Sequence, residues 1–249
     1  MIQPRLIITR CLLGLAVLAA VLLLVAGPGT RMQLWDFRAG FSLLRWATYF
    51  GLASAAVALL MLLVPRLRRP HGVSLAIALL LGLGVSLVPL NIMREAQNLP
   101  PIHDISTDTA HPPAFVTILP LRADAPNSAE YGGPDIARQQ LMAYPDVRAH
   151  TTAQAPHQAF DHALETAQGM GWEIVASDRS EGRIEATDTT PWFGFKDDVV
   201  IRITSEGTGS KVDVRSVSRV GKGDVGANAR RVLAYLKALR EHESAATVL

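Results

Sequence analysis

The chain has 249 residues, 49% of them hydrophobic and only 18% charged, where a soluble globular domain carries about a quarter. Its charge is divided: residues 1–99 hold nine Lys/Arg against two Asp/Glu, residues 100–249 fifteen against twenty. The net charge of +2 therefore averages two unlike halves and points to no nucleic-acid partner, and a single cysteine excludes an intrachain disulfide or a cysteine-based metal cluster.

Three apolar runs come first, at about residues 6–26, 46–64 and 73–90. Each approaches the roughly 20 residues that cross a bilayer core, the first only if Arg10 snorkels to the interface. Gly51, Ser54, Ala55 and Ala58 form a small-residue stripe on the second run, and Ala78, Gly82 and Ser86 form one on the third. Such stripes let helices approach closely in lipid. Residues 1–97 are therefore expected to be an uncleaved three-helix transmembrane anchor. Cys11, preceding most of the first run, is read as a small apolar residue. Arg5, Arg10, Arg66, Arg68 and Arg69 would share one side, against Arg31, Arg38, Arg94 and, counted outside the second span, Arg45. That bias predicts a multi-pass inner-membrane protein with a cytoplasmic N-terminus and a periplasmic C-terminal domain.

Residues 98–249 read as one α+β domain. A proline-bracketed, irregular lead-in runs to Pro113, and helices are expected at Pro134–Ala143 and Pro156–Gly169. Strands follow at Trp172–Ser177, Arg183–Thr189, Asp198–Thr204 and Lys211–Val220, then a helix over about Val225–Glu241. The last two strands alternate apolar and polar residues, predicting an antiparallel sheet with one covered face, that face covered by helices. A hairpin pairing Thr204 with Lys211 would set Arg202 against Asp213 and Val200 against Arg215, with Lys196 near Arg219.

Gly221-Lys-Gly-Asp-Val-Gly226 matches a dinucleotide fingerprint. Its strand alternates in polarity, however, and only 23 residues follow it, so dinucleotide binding is not expected. Asp224 is expected to cap the final helix, with Asn228 beside it in the first turn. The candidate ligand-binding residues are Arg215, Arg219, Asp197, Asp198, Asp224 and Asn228, with the two aspartates expected close to the two arginines as a solvated ion-pair network or a polar cleft. On that reading, changing Arg215 or Arg219 to Gln would barely affect folding. His103, Asp104, Asp108 and His111 offer four metal-ligand groups in nine residues. No helical spacing fixes them for zinc, so no metal is expected, nor any cofactor.

Several blocks occur in order: Asn98-Leu-Pro-Pro-Ile-His-Asp-Ile-Ser-Thr-Asp108, Pro112-Pro-Ala-Phe115, Tyr144-Pro145 and Gly171-Trp172. They continue with Gly182-Arg-Ile-Glu-Ala-Thr187, Phe193-Gly-Phe-Lys-Asp-Asp-Val-Val200 and Asp213-Val-Arg-Ser-Val-Ser-Arg-Val-Gly221. Over residues 98–240 the chain resembles the bacterial DUF1499 family, a domain of unknown function, in its membrane-anchored form. The resemblance implies the domain and no activity. The expected role is binding, of an envelope protein or an anionic small molecule. The alternative is an envelope hydrolase or transferase using Asp197 and Asp198 with a nearby His or Arg.

Overall fold

The computed structural model describes residues 4–69 and 71–247. Leu249, the expected end of the domain, and the side chain of Arg5, used in the orientation bias, lie outside the described residues. In chain order the elements are α1 (Pro4–Arg31), α2 (Phe37–Leu63), α3 (Pro65–Arg68), α4 (Gly72–Asn98), β1 (Asp104–Ser106), a 3-10 helix (Leu119–Arg122), α5 (Pro134–Ala143), β2 (His150–Thr152), α6 (Pro156–Gly169), β3 (Glu173–Asp178), β4 (Arg183–Thr189), β5 (Lys196–Glu206), β6 (Gly209–Ser218) and α7 (Ala227–Thr247). The chain forms two units, 1–95 with 191–194, and 96–190 with 195–249.

In the first unit, α1, α2 and α4 are long and apolar enough to cross a membrane. All three outrun the apolar stretches read from the sequence. Asp36 starts α2 nine residues before its apolar run, because its carboxylate accepts the N–H groups of Arg38 and Ala39 at 2.7 and 2.9 Å. The small-residue stripes are buried. At Gly51 an added Cβ would lie 2.7 Å from the Gly82 carbonyl oxygen, and at Gly82 one would lie 2.5 Å from the Gly51 oxygen. Only residues without side chains permit that crossing. Two hydroxyls also bond between helices: Ser54 donates to the Leu12 carbonyl at 2.9 Å and Ser86 to that of Thr48 at 3.2 Å.

The second unit is built on an antiparallel sheet ordered β1-β6-β5-β4-β3, with β2 also paired to β6. Thr204 faces Lys211, Arg202 faces Asp213 and Val200 faces Arg215, the register expected from the hairpin. The strands run further toward the turn than expected, to Glu206 and from Gly209. Gly207, at φ 59°, accepts the left-handed conformation that closes so short a loop. Val199, Ile201, Ile203, Val212 and Val214 face α6 and α7, whose Phe160, Ala163, Val232, Leu236 and Leu239 complete the core. Trp172 stacks on Tyr235 with ring centroids 5.2 Å apart, and the Tyr235 hydroxyl donates to the Ala163 carbonyl at 2.9 Å. Fully burying the hydroxyl-bearing ring is tolerated because that donor is satisfied.

The expectation of one covered face is corrected. Residues 107–131, including the 3-10 helix, lie as a strap across the other face, where Phe115 and Ile118 pack on Val200 and Val217. Around this small apolar contact, Glu185, Asp198, Asp213 and Arg215 are also buried. Part of the segment read as a simple lead-in is strand β1. Its outer edge is satisfied by Gln140 of α5, whose side-chain amide accepts from the Ser106 N–H at 2.9 Å and donates to the Ser106 carbonyl at 2.7 Å. A buried side chain thus replaces a neighbouring strand.

Candidate functional site

Strand parity decides which candidate residues meet. Asp197 and Asp198 are consecutive in β5 and point to opposite faces, so the expected shared site divides in two.

On the strap side, Asp198 accepts from Arg219 Nε at 2.8 Å and Nη2 at 2.9 Å, from Arg122 Nη1 at 2.5 Å, and from the Thr187 hydroxyl at 2.8 Å. Arg122 reaches in from the strap's 3-10 helix. Burial pushes the Asp198 carboxyl up, but the hydrogen bonds from Arg219 and Thr187 and the charge of Arg219 outweigh it and hold the group below the usual carboxylate value. Arg215 does not join this pair. Its Nε and Nη2 grip both oxygens of Asp104 at 2.9 and 2.8 Å, and the guanidinium lies between the rings of Phe115 and Tyr131, 5.2 and 5.5 Å from their centroids. Only 3% of the Arg215 side chain and 7% of that of Asp104 is exposed. Burial raises the Asp104 carboxyl, and Arg215 offsets this only in part. The expectation that Arg215 is a solvated residue, replaceable without effect on folding, is therefore corrected. The sequence shows the strand alternation but not the cover over its polar face.

Carboxylates and guanidiniums alternate across the rest of this face. Glu185, fully buried, accepts the consecutive N–H groups of Val116, Thr117 and Ile118 at 3.0, 3.0 and 2.8 Å, and Arg183 Nε at 3.0 Å. Asp213 and Asp108 share Arg202 and Lys211. Burial would raise Asp108, but the His111 N–H, Lys211 and Arg202 hold it below the usual value.

On the helix side, Asp197 accepts Arg231 Nη2 at 2.5 Å. The same guanidinium donates to Asp188 at 2.6 Å and, through Nη1, to Asn228 Oδ1 at 2.6 Å and the Ser216 hydroxyl at 3.2 Å. Burial raises the Asp197 carboxyl against the lowering effect of Arg231. Asn228 Nδ2 donates to the His103 carbonyl and the Ser218 hydroxyl at 3.0 and 2.8 Å, so every arm of this buried amide is engaged. Arg122, Glu185, Asp188 and Arg231 have no distinguishing signal in the sequence, since each sits in an ordinary polar position of its pattern.

Asp224 caps α7 by accepting the N–H groups of Gly226 and Asn228 at 2.8 and 2.6 Å. The capped turn holds Val225 at φ 53° and Gly226 at φ 75°, and a β-branched residue there is strained. Asp224→Ala is expected to cost about 0.5–2 kcal/mol, read as a lower urea midpoint for the detergent-solubilised chain. An unchanged midpoint would show that water caps the helix equally well.

The four possible metal ligands do not converge. Asp104 is held by Arg215, and His103 Nδ1 lies 3.2 Å from the Lys222 carbonyl. Asp108 accepts the N–H groups of Ala110 and His111 at 3.1 and 2.8 Å. Among the described residues, no three His, Cys, Asp or Glu side chains are grouped to hold an ion.

A comparison with curated proteins finds no match. A family model described as a protein of unknown function (DUF1499) matches residues 104–239, more than half of the chain. Strap, sheet and both charged clusters fall within that match: the chain belongs to the DUF1499 family.

Proposed function

We propose that this chain is a multi-pass protein of the bacterial inner membrane. On this reading it presents residues 98–249 in the periplasm to bind, without catalysis, an anionic group on a small molecule or an envelope protein. The membrane assignment is supported by three helices of sufficient length and apolarity. Five arginines on the N-terminal side against three or four opposite support the orientation.

The observation that carries the binding reading is the open end of the strap-side charge layer. Arg219 hydrogen-bonds through its backbone to the Lys196 carbonyl at 3.0 Å, which places the two cationic side chains on one face. Lys196 is exposed and forms no ion pair among the described residues. Two cations side by side, one held rigid by Asp198, suit a carboxylate or phosphate. The catalytic alternative needs a carboxylate free to take a proton. Asp197 and Asp198 face opposite ways and each already carries an arginine, which favours binding.

Multivalent anions, with citrate and pyrophosphate as the probes, are expected to raise the melting temperature of the detergent-solubilised chain. Lys196→Glu should keep its own melting temperature, being a surface change worth within about 0.5 kcal/mol, and lose that response. An equal response in both proteins would remove the site. A reporter enzyme active only outside the cytoplasm, fused after Leu249, should be active, and activity of a cytoplasm-only reporter there would reverse the orientation.

A further inference from the structure

The membrane unit has a cleft of its own. It lies between the first half of α2 and the last turns of α4, with a volume of about 460 Å3, inside the range of ligand sites. Leu44, Leu52, Leu90 and Met93 form an apolar wall, and among the described residues Arg45 is the charged one that lines it.

Arg45 lies eight residues into α2, about 12 Å along the helix. Next to it Trp46 packs against Tyr49 and Phe50, with ring centroids 5.9 and 5.4 Å apart. Aromatic clusters of this kind settle at headgroup level, and an arginine there extends its head toward the phosphates while its stem stays among the acyl chains. Arg45 is exposed, donates to the Ser42 hydroxyl at 3.2 Å, and has no carboxylate partner among the described residues. Arg94, next to the lining Met93, is also exposed and without an ion-pair partner among them. The buried arginines of the second unit, Arg122, Arg215 and Arg231, by contrast, have their carboxylates within the chain. Helix α2 contains no acidic residue. Among the described residues neither Asp36, which caps α2, nor Glu95, near the end of α4, forms an ion pair with Arg45 or Arg94, which leaves an anion from outside the protein to compensate Arg45. At this depth the available anion is a lipid phosphate.

We propose that the α2–α4 cleft binds one phospholipid with an anionic headgroup, its acyl chain along Leu44, Leu52 and Leu90 and its phosphate at Arg45, with Arg94 adding to the preference for net negative charge. This rests on the reading of the helices as membrane-spanning and not on the anion site of the domain.

The test is native mass spectrometry of the full chain extracted from vesicles of equal phosphatidylglycerol and phosphatidylcholine. One tightly retained phosphatidylglycerol is expected, with at least about fivefold preference over phosphatidylcholine, the effect of one interfacial arginine. Arg45→Gln should abolish the preference and Arg45→Lys should keep most of it. Leu52→Trp, which fills the cleft without changing charge, should lower retention of both lipids. Equal retention of the two lipids by the wild-type chain, or an unaltered preference in Arg45→Gln, overturns the proposal. If Arg45→Gln does not fold, full retention in Leu52→Trp overturns it instead. Resistance of the same chain to carbonate extraction reports membrane spanning separately, so failure of that reading is distinguishable from failure of the lipid site.

Discussion

Arg215→Met is expected to destabilise the α+β domain by about 3–5 kcal/mol, because it leaves the Asp104 carboxylate buried without its guanidinium. It also removes the donors to the Pro113 and Ala129 carbonyls, at 3.1 and 2.8 Å, which fix the strap at two points. The loss should depend on pH. Burial already raises Asp104 in the presence of Arg215, and without the arginine the lifting is stronger. A carboxyl whose folded-state pKa is raised holds its proton better when folded than when unfolded. Its effect on stability is therefore most favourable at low pH and worsens as pH rises through the raised value. The variant should come closest to wild type near pH 4–5 and fall furthest behind at pH 8. Hydrogen exchange of the β5 and β6 amides in the detergent-solubilised chain reads this directly. The double variant Asp104→Leu/Arg215→Met, which removes both charges, should recover much of the loss. A pH-independent deficit would show instead that the strap carbonyls matter more than the carboxylate.

Glu185→Ala is expected to act on the strap before the sheet. The consecutive N–H groups of Val116, Thr117 and Ile118, the last of them in a buried residue, would lose their acceptor together. At about 1–3 kcal/mol for an orphaned buried donor, and less for the two that water can reach, a loss of about 2–4 kcal/mol is expected. Glu185→Gln keeps one acceptor oxygen and should cost roughly half as much. Amide exchange at residues 116–118 should accelerate by two or more orders of magnitude while the α6 and α7 amides slow-exchange as before. If all amides accelerate together, the strap and sheet form one cooperative unit and cannot open separately.

Much of the domain is legible without coordinates. Residues 134–143, 156–169 and 183–189 show their elements because proline starts, apolar spacing and turn residues all agree there. The register of β5 on β6 follows from one short turn. The second layer is not legible, for a definite reason. Glu185, Asp198, Asp213 and Arg215 occupy the alternate positions of their strands, the same pattern that a solvent-facing surface would produce. Only a partner segment distinguishes a buried charge from an exposed one, and residues 107–131 have almost no periodicity of their own by which to identify them as that partner. The candidate site fared likewise. Arg219 and Asp198 meet as neighbours on β6 and β5, but Arg215 pairs with Asp104, 111 residues distant in sequence. Asp197 finds Arg231 across the sheet–helix interface. Pairings at that separation are set by tertiary packing, not by local spacing.

The strap is held chiefly by its main chain. Arg202 takes the carbonyl of His111, Arg215 those of Pro113 and Ala129, Arg219 that of Leu121, and Glu185 the three amides. Beside these peptide contacts, the side chains of Thr107, Asp108, Phe115, Ile118, Arg122, Asn127 and Tyr131 turn inward, and the clasp places little demand on the rest. Val116, Leu119 and Leu121, by contrast, face outward and are about half exposed. Variation can therefore accumulate on the strap's outer surface while the charged sheet beneath it stays constant. One scaffold could in this way present different external surfaces without a change in its fold.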